Sequence, residues 1–244
     1  MPYFTLGYPT METSAAVIEA IAPHSDLLEL GVPFSDPIAD GPTVQASTQI
    51  ALDNGANMKA CLQTISDLRA KGVDTPAMMM GYYNPIIAYG EEAFVRDAAA
   101  AGVDGFIVPD LPIEEADELE ALAEKHGLAL IYFLAPTSNP KRIALTAERA
   151  NGFIYLVSIT GITGTKEAVA SDLESLISTI RETTDVPVAV GFGINTPQKA
   201  SNIGNIADGV IVGSALVKAA TDGGDEAPEK AAEFVQSLQA GLQI

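Results

Sequence analysis

Residues 27–45 read LLELGVPFSDPIADGPTVQ. An apolar run from Leu27 to Leu30 holds one carboxylate, Glu29, and then breaks into a segment carrying Pro33, Pro37, Gly41 and Pro42. A near-continuous apolar run closed by turn residues reads as a strand buried on both faces, the habit of parallel sheets. The pattern recurs in PYFTLG (2–7), DLLELG (26–31), AMMMGY (77–82), GFIVPD (105–110), ALIYFLA (129–135), GFIYLVS (152–158), VPVAVGFG (186–193) and DGVIVGS (208–214). Helical patterns lie between these runs, at 11–22, 58–71, 91–101, 113–126, 140–150, 170–184, 195–206 and 227–240. Within 58–71, Met58, Leu62, Ile65 and Leu68 share one face; Pro140 suits a first helical turn, and Ser171 or Asp172 is a candidate N-cap. Eight strand-then-helix units with no second compositional block predict one (β/α)8 barrel over residues 1–244. A doubly wound open sheet is the alternative, weakened by the lack of a G-x-G-x-x-G backed by a ribose-binding acid.

Composition narrows the function. The 244 residues carry 13 Lys and Arg against 32 Asp and Glu, a net charge of −19. That excludes the basic footprint of a nucleic-acid binder and reads as a solvated acidic surface. An anionic ligand must then be held by local backbone dipoles or by one placed cation. Cys61 is the single cysteine, and His24 and His126 are the only histidines, so no zinc cluster and no disulfide framework are expected. Neither a signal peptide nor an apolar run long enough for a bilayer is seen, so a cytoplasmic protein is expected.

The chemistry-bearing residues gather at strand ends. Glu29 alternates with Leu28 and Leu30; if the leucines face the helices, Glu29 faces the barrel mouth. A carboxyl without a cation there has a raised pKa and can serve as both acid and base near neutrality. VGFGIN (190–195) and VIVGSALVK (210–218) end the seventh and eighth strands, where barrels commonly hold a phosphate on glycine backbone and a helix start. Gly193, Gly213 and Ser214 are the expected donors, with Gly164 closing from the sixth loop. Asp40 precedes Gly-Pro and can swing in when its loop orders, whereas Asp36 suits turn chemistry as well as function. Tyr155 shares a parity with Phe153 and Val157 and reads equally as core or as a hydrogen-bonding helper. Tyr82 and Tyr83 in GYYNP are equally open, and the Met78–Met80 run reads as packing.

ELGVPFSDPIADGPTVQ closely resembles the signature of the tryptophan synthase alpha chain family. The resemblance extends through FTLGYP, GYYNPI, GVDGFIVPDLPIEE, LAPTSN, YLVSITGITG, GFGI and GSALVK, nearly the whole chain. It implies a (β/α)8 lyase that cleaves indole-3-glycerol phosphate to indole and glyceraldehyde 3-phosphate without metal or organic cofactor. The family's catalytic glutamate and aspartate fall on Glu29 and Asp40, its helper tyrosine on Tyr155, and the threonine that orders with the aspartate on Thr163. Its phosphate backbone falls on Gly164, Gly193, Gly213 and Ser214, and its indole pocket on Tyr3, Met80, Ile107, Phe133 and Phe192. A beta chain carrying pyridoxal phosphate is the implied partner, in an α2β2 heterotetramer, with indole passing to it. Two departures are noted. The family's helical segment before strand one is expected to be lacking, and the sixth loop reads SITGITGTK where many relatives carry a charge after the serine. The first of these keeps open a partner-activating subunit with little activity of its own, and a stand-alone indole-releasing lyase is a third reading.

Overall fold

The computed structural model describes residues 1–157, 166–191 and 193–242, without the side chains of 166–172. The order is β1 (Tyr3–Thr5), α1 (Met11–Ile21), β2 (Leu28–Gly31), α2 (Pro42–Asp53), α3 (Met58–Ala70), β3 (Ala77–Met80), α4 (Tyr83–Tyr89), α5 (Glu91–Ala101), β4 (Gly105–Ile107), α6 (Asp117–Lys125), β5 (Ala129–Leu134), α7 (Pro140–Arg149), β6 (Ile154–Val157), α8 (Lys166–Arg181), β7 (Val188–Gly191), α9 (Pro197–Gly204), β8 (Gly209–Ile211), α10 (Ser214–Gly223) and α11 (Ala227–Leu242). All eight strands pair in parallel in sequence order. A bridge between Pro2 and Val212 joins the first strand to the last, where the Tyr3 amide donates to the Val212 carbonyl at 2.8 Å. The expected barrel is the observed one.

Strand parity builds two apolar layers. Met78, Ile107, Ile131, Phe153, Ala189 and Ile211 fill the barrel interior. Leu28, Leu30, Phe106 and Leu130 point the other way and pack with helix residues such as Ile18, Ile65, Phe94 and Leu119. Helix starts follow local chemistry: the side chains of Thr10, Asn57, Asn139 and Thr196 each accept from a first-turn amide.

Three elements differ from the sequence expectation. The proline-rich stretch after β2 folds into α2 from Pro42, because proline at a first helical position sacrifices no bond. Its buried face holds Ser47 and Thr48 beside Val44 and Ala51, so apolar periodicity is weak. Ser47 Oγ donates to the Val44 carbonyl and shares a 2.7 Å hydrogen bond with Thr5 Oγ1 of β1. The seven-residue α4 is too short to show a period. Ser171 and Asp172 lie inside α8 rather than capping it, since the helix begins at Lys166 and runs on through Ala168 and Ala170.

The end of the barrel where the strands begin is fastened by side chains. Arg69 donates to the carbonyls of Gly102, Val73 and Thr75 and to Asp104, at 2.6–2.9 Å. Asp104 also accepts the Ala77 amide that starts β3. Arg181 and Asp208 repeat this at β7, where Asp208 accepts the Val188 amide. Arg69→Met leaves three carbonyls and a carboxylate without their donor, and is expected to cost about 2–3 kcal/mol. A urea-unfolding midpoint equal to the parent's would show that this fastening contributes nothing.

Candidate active site

The opposite end, where strands finish, opens into a cavity of about 780 Å³. Tyr3, Glu29, Met80, Phe133 and Tyr155 reach it from strands, Asp40 from the β2–α2 loop, and Gly193, Gly213 and Ser214 from the ends of β7 and β8.

Glu29 is the unusual group. Register places it between Tyr3 of β1 and Met78 of β3, with Leu28 and Leu30 facing the helices as its alternation required. It is 1% exposed, and neither carboxyl oxygen has a hydrogen-bond partner among the described residues. Burial raises its pKa from 4.5 to about 8, against a smaller pull from the Met1 ammonium. The carboxyl is therefore neutral at pH 7 and able to give up a proton near that pH.

Asp40 is already turned into the cavity. Tyr82 holds it there, its hydroxyl donating to Asp40 Oδ2 at 2.9 Å and accepting the Ala39 amide at 3.0 Å. Tyr82 is buried and packs on Phe34 of the same loop, with ring centroids 5.5 Å apart. Burial raises the Asp40 pKa, and the Tyr82 hydrogen bond opposes that shift. The role of Tyr82, open in the sequence, is thus to pin the Asp40 loop. Asp36 is exposed, bonds Ser35, and does not line the cavity.

Tyr3 of β1, beside Glu29, and Tyr155 of β6, across the barrel, each need a glycine. A Cβ built on Gly31 would sit 2.2 Å from the Tyr3 hydroxyl, and one on Gly191 would sit 2.8 Å from the Tyr155 hydroxyl. Each ring lies across the end of the neighbouring strand only because that strand finishes in glycine. Burial holds the Tyr155 phenol well above its ordinary pKa, reinforced by the charges of Glu29 and Asp40, so it remains a neutral donor. Phe133 lies 4.9 Å from Tyr155, ring to ring, and completes an aromatic wall. Ile107 is fully buried in the interior layer and is not among the lining residues; Ile211 is. Thr163, Gly164 and Phe192 lie outside the described residues.

At the far end of the cavity, Gly193 has a left-handed φ of 54° and Gly213 precedes α10. The Leu216 and Val217 amides donate to the Gly213 carbonyl, which leaves those of Ser214 and Ala215 without a helical acceptor, a geometry that suits an anion. Among the described residues no group of three or more His, Cys, Asp or Glu is arranged to hold a metal ion, and no helix is long and apolar enough to cross a membrane.

A barrel with this cavity matches the sequence profile of the tryptophan synthase alpha chain over residues 1–243. The chain belongs to the tryptophan synthase alpha chain family. It is 49% identical over 218 residues to the tryptophan synthase alpha chain of Chloroflexus aggregans, covering 89% of this chain and 82% of that one. It is 44% identical over 248 residues to the tryptophan synthase of Saccharomyces cerevisiae, covering 99% of this chain but 34% of the yeast protein. The solved structure of Mycobacterium tuberculosis tryptophan synthase superposes with a TM-score of 0.90 at 38% identity, over all of this chain and 91% of that one. As a member of this family, the chain is a lyase of tryptophan biosynthesis that cleaves indole-3-glycerol phosphate to indole and glyceraldehyde 3-phosphate.

Proposed function

We propose that Glu29 is the acid and base of this cleavage and Asp40 its electrostatic partner. One observation carries the reading: a fully buried carboxyl with no hydrogen-bond partner among the described residues, aimed into a ligand-sized cavity. The reaction is a retro-aldol. Indole C3 gains a proton so that the ring can leave, and the neighbouring side-chain hydroxyl loses one as the C–C bond breaks. A carboxyl protonated near neutrality gives the first proton and, once ionised, takes the second. Asp40 accepts the indole N–H and stabilises the positive charge that develops on the ring. Tyr155 donates a hydrogen bond from the wall opposite Glu29, and Tyr3, Met80 and Phe133 hold the ring; family resemblance adds Phe192 to this pocket and Ile107 from the buried interior layer, off the cavity lining. Gly193, Gly213 and Ser214 bind the phosphate, joined by Gly164, and these remote contacts orient the reacting carbon. Family resemblance gives Thr163 the role of ordering with Asp40 to exclude water.

This acid–base chemistry asks no metal or organic cofactor of the chain. The partner is a tryptophan synthase beta chain, in an α2β2 assembly, which holds the pyridoxal phosphate and receives the indole. The yeast relative, named simply tryptophan synthase, supports this, because the matched region is a third of a longer chain. The cytoplasm is the expected compartment, in keeping with a single, buried, free thiol at Cys61. Indole release from indole-3-glycerol phosphate by the purified chain, alone and with excess beta chain, tests the reading. Weak release that rises at least tenfold with the partner is expected. No indole under either condition from a folded chain would leave a docking subunit instead, and full release alone with no complex on size exclusion would leave a stand-alone lyase.

A further inference from the structure

One face of α10 continues the wall of the cavity: Ser214, Ala215, Lys218, Ala219 and Asp222 all line it. Lys218 is the one Lys or Arg among the described lining residues, against the carboxyls of Glu29, Asp40 and Asp222. In a chain of net charge −19, a phosphate dianion approaching this corner meets local and overall repulsion unless a cation stands there. Lys218 Nζ is paired with both carboxyl oxygens of Asp222, at 2.7 and 3.0 Å. That pair is weak by construction. Both side chains are more than 60% exposed, where such pairs contribute little. Its order along the helix, Lys before Asp, also sets both charges against the helix dipole. Helical side chains lean toward the N-terminus, so the natural reach of Lys218 is over the turn of Ser214, four residues earlier.

We infer that Lys218 is a further substrate-binding residue: its ammonium leaves Asp222 and pairs with the substrate phosphate seated on Gly213 and Ser214. The inference rests on reading that corner as the phosphate site. The cavity's claim to be a ligand chamber does not rest on the helix start alone, since the unpartnered, buried Glu29 points into the same space. Asp222 then acts as a parking site that competes with the ligand for the cation.

The two partners should behave oppositely. With the beta chain present, Lys218→Gln is expected to raise KM for indole-3-glycerol phosphate five- to tenfold. It should raise the inhibition constant of inorganic phosphate in proportion and flatten the dependence of both on salt. Asp222→Asn, which frees the cation, is expected to lower both constants about twofold. Lys71→Gln removes the same charge from the far end of α3 and should change either constant by less than twofold. Lys218→Gln within twofold of the parent, or Asp222→Asn raising KM as much as Lys218→Gln, would overturn the inference while leaving the phosphate site in place. A parent enzyme that inorganic phosphate does not inhibit competitively would instead remove the phosphate site, and the inference with it.

Discussion

Glu29→Gln is expected to reduce indole release by about a thousandfold or more while the chain folds and binds inorganic phosphate as before. Glutamine keeps the size and burial of the side chain but neither gives nor takes the proton, and acid–base groups of this kind are worth about 10²–10⁴ per transfer. The variant also reports on stability. In the parent, the folded carboxyl keeps its proton until about pH 8, whereas an unfolded one, with a value near 4.5, has lost it. Between those values the folded state binds more protons, so the parent loses stability as pH rises from about 4.5 to 8 and is level beyond. The Gln variant has no such slope. Its advantage over the parent should grow by on the order of 3–5 kcal/mol between pH 4.5 and 8.5. Denaturant titrations at several pH values, with kcat/KM alongside, check both. The parent's kcat/KM should decline above about pH 8 as the starting acid ionises. Turnover by Glu29→Gln within tenfold of the parent would remove Glu29 from the chemistry, and parallel stability curves would show that its carboxyl ionises normally.

Gly105→Ala is expected to destabilise the barrel severely for the addition of a single methyl. Gly105 faces the barrel interior on β4, opposite Ala129 of β5. A Cβ there would lie 2.5 Å from the Ala129 carbonyl oxygen and 2.8 Å from Met78 Sδ. The methionine can yield, but the carbonyl belongs to the neighbouring strand, so the methyl must push β4 and β5 apart. A cost of about 3 kcal/mol or more follows, at the upper end of overpacking effects. A thermal midpoint within about 2 °C of the parent's would show that the strands separate at little cost.

The architecture was legible because parallel strands buried on both faces leave near-continuous apolar runs, and eight of them alternate with helical stripes. The stretches that escaped have physical reasons. In α2 the buried face carries hydroxyls that bond β1 and their own helix, so hydrophobic periodicity understates it. In α4 seven residues are too few for a period. Glu29 was legible as an inward carboxyl from parity alone. The Tyr82 hydrogen bond to Asp40 was not, because it joins residues 42 apart in sequence through a loop whose course no local pattern sets. Lys218 was hidden for a similar reason: GSALVK shows a helix start, but only the fold turns that helix face toward the cavity.

The paired fastenings where the strands begin have a mechanical consequence. Arg69 with Asp104 secures the foot of β3 and β4, and Arg181 with Asp208 secures the foot of β7 and β8. These pairs stand four strands apart, on opposite walls of an eight-stranded cylinder. Two clasps on one diameter resist the cheapest deformation of a tube, its flattening into an oval. The strand starts on two opposite walls are thereby tied, at the end away from the mouth and its loops. Loops at the mouth can change length, charge or posture without touching either fastening.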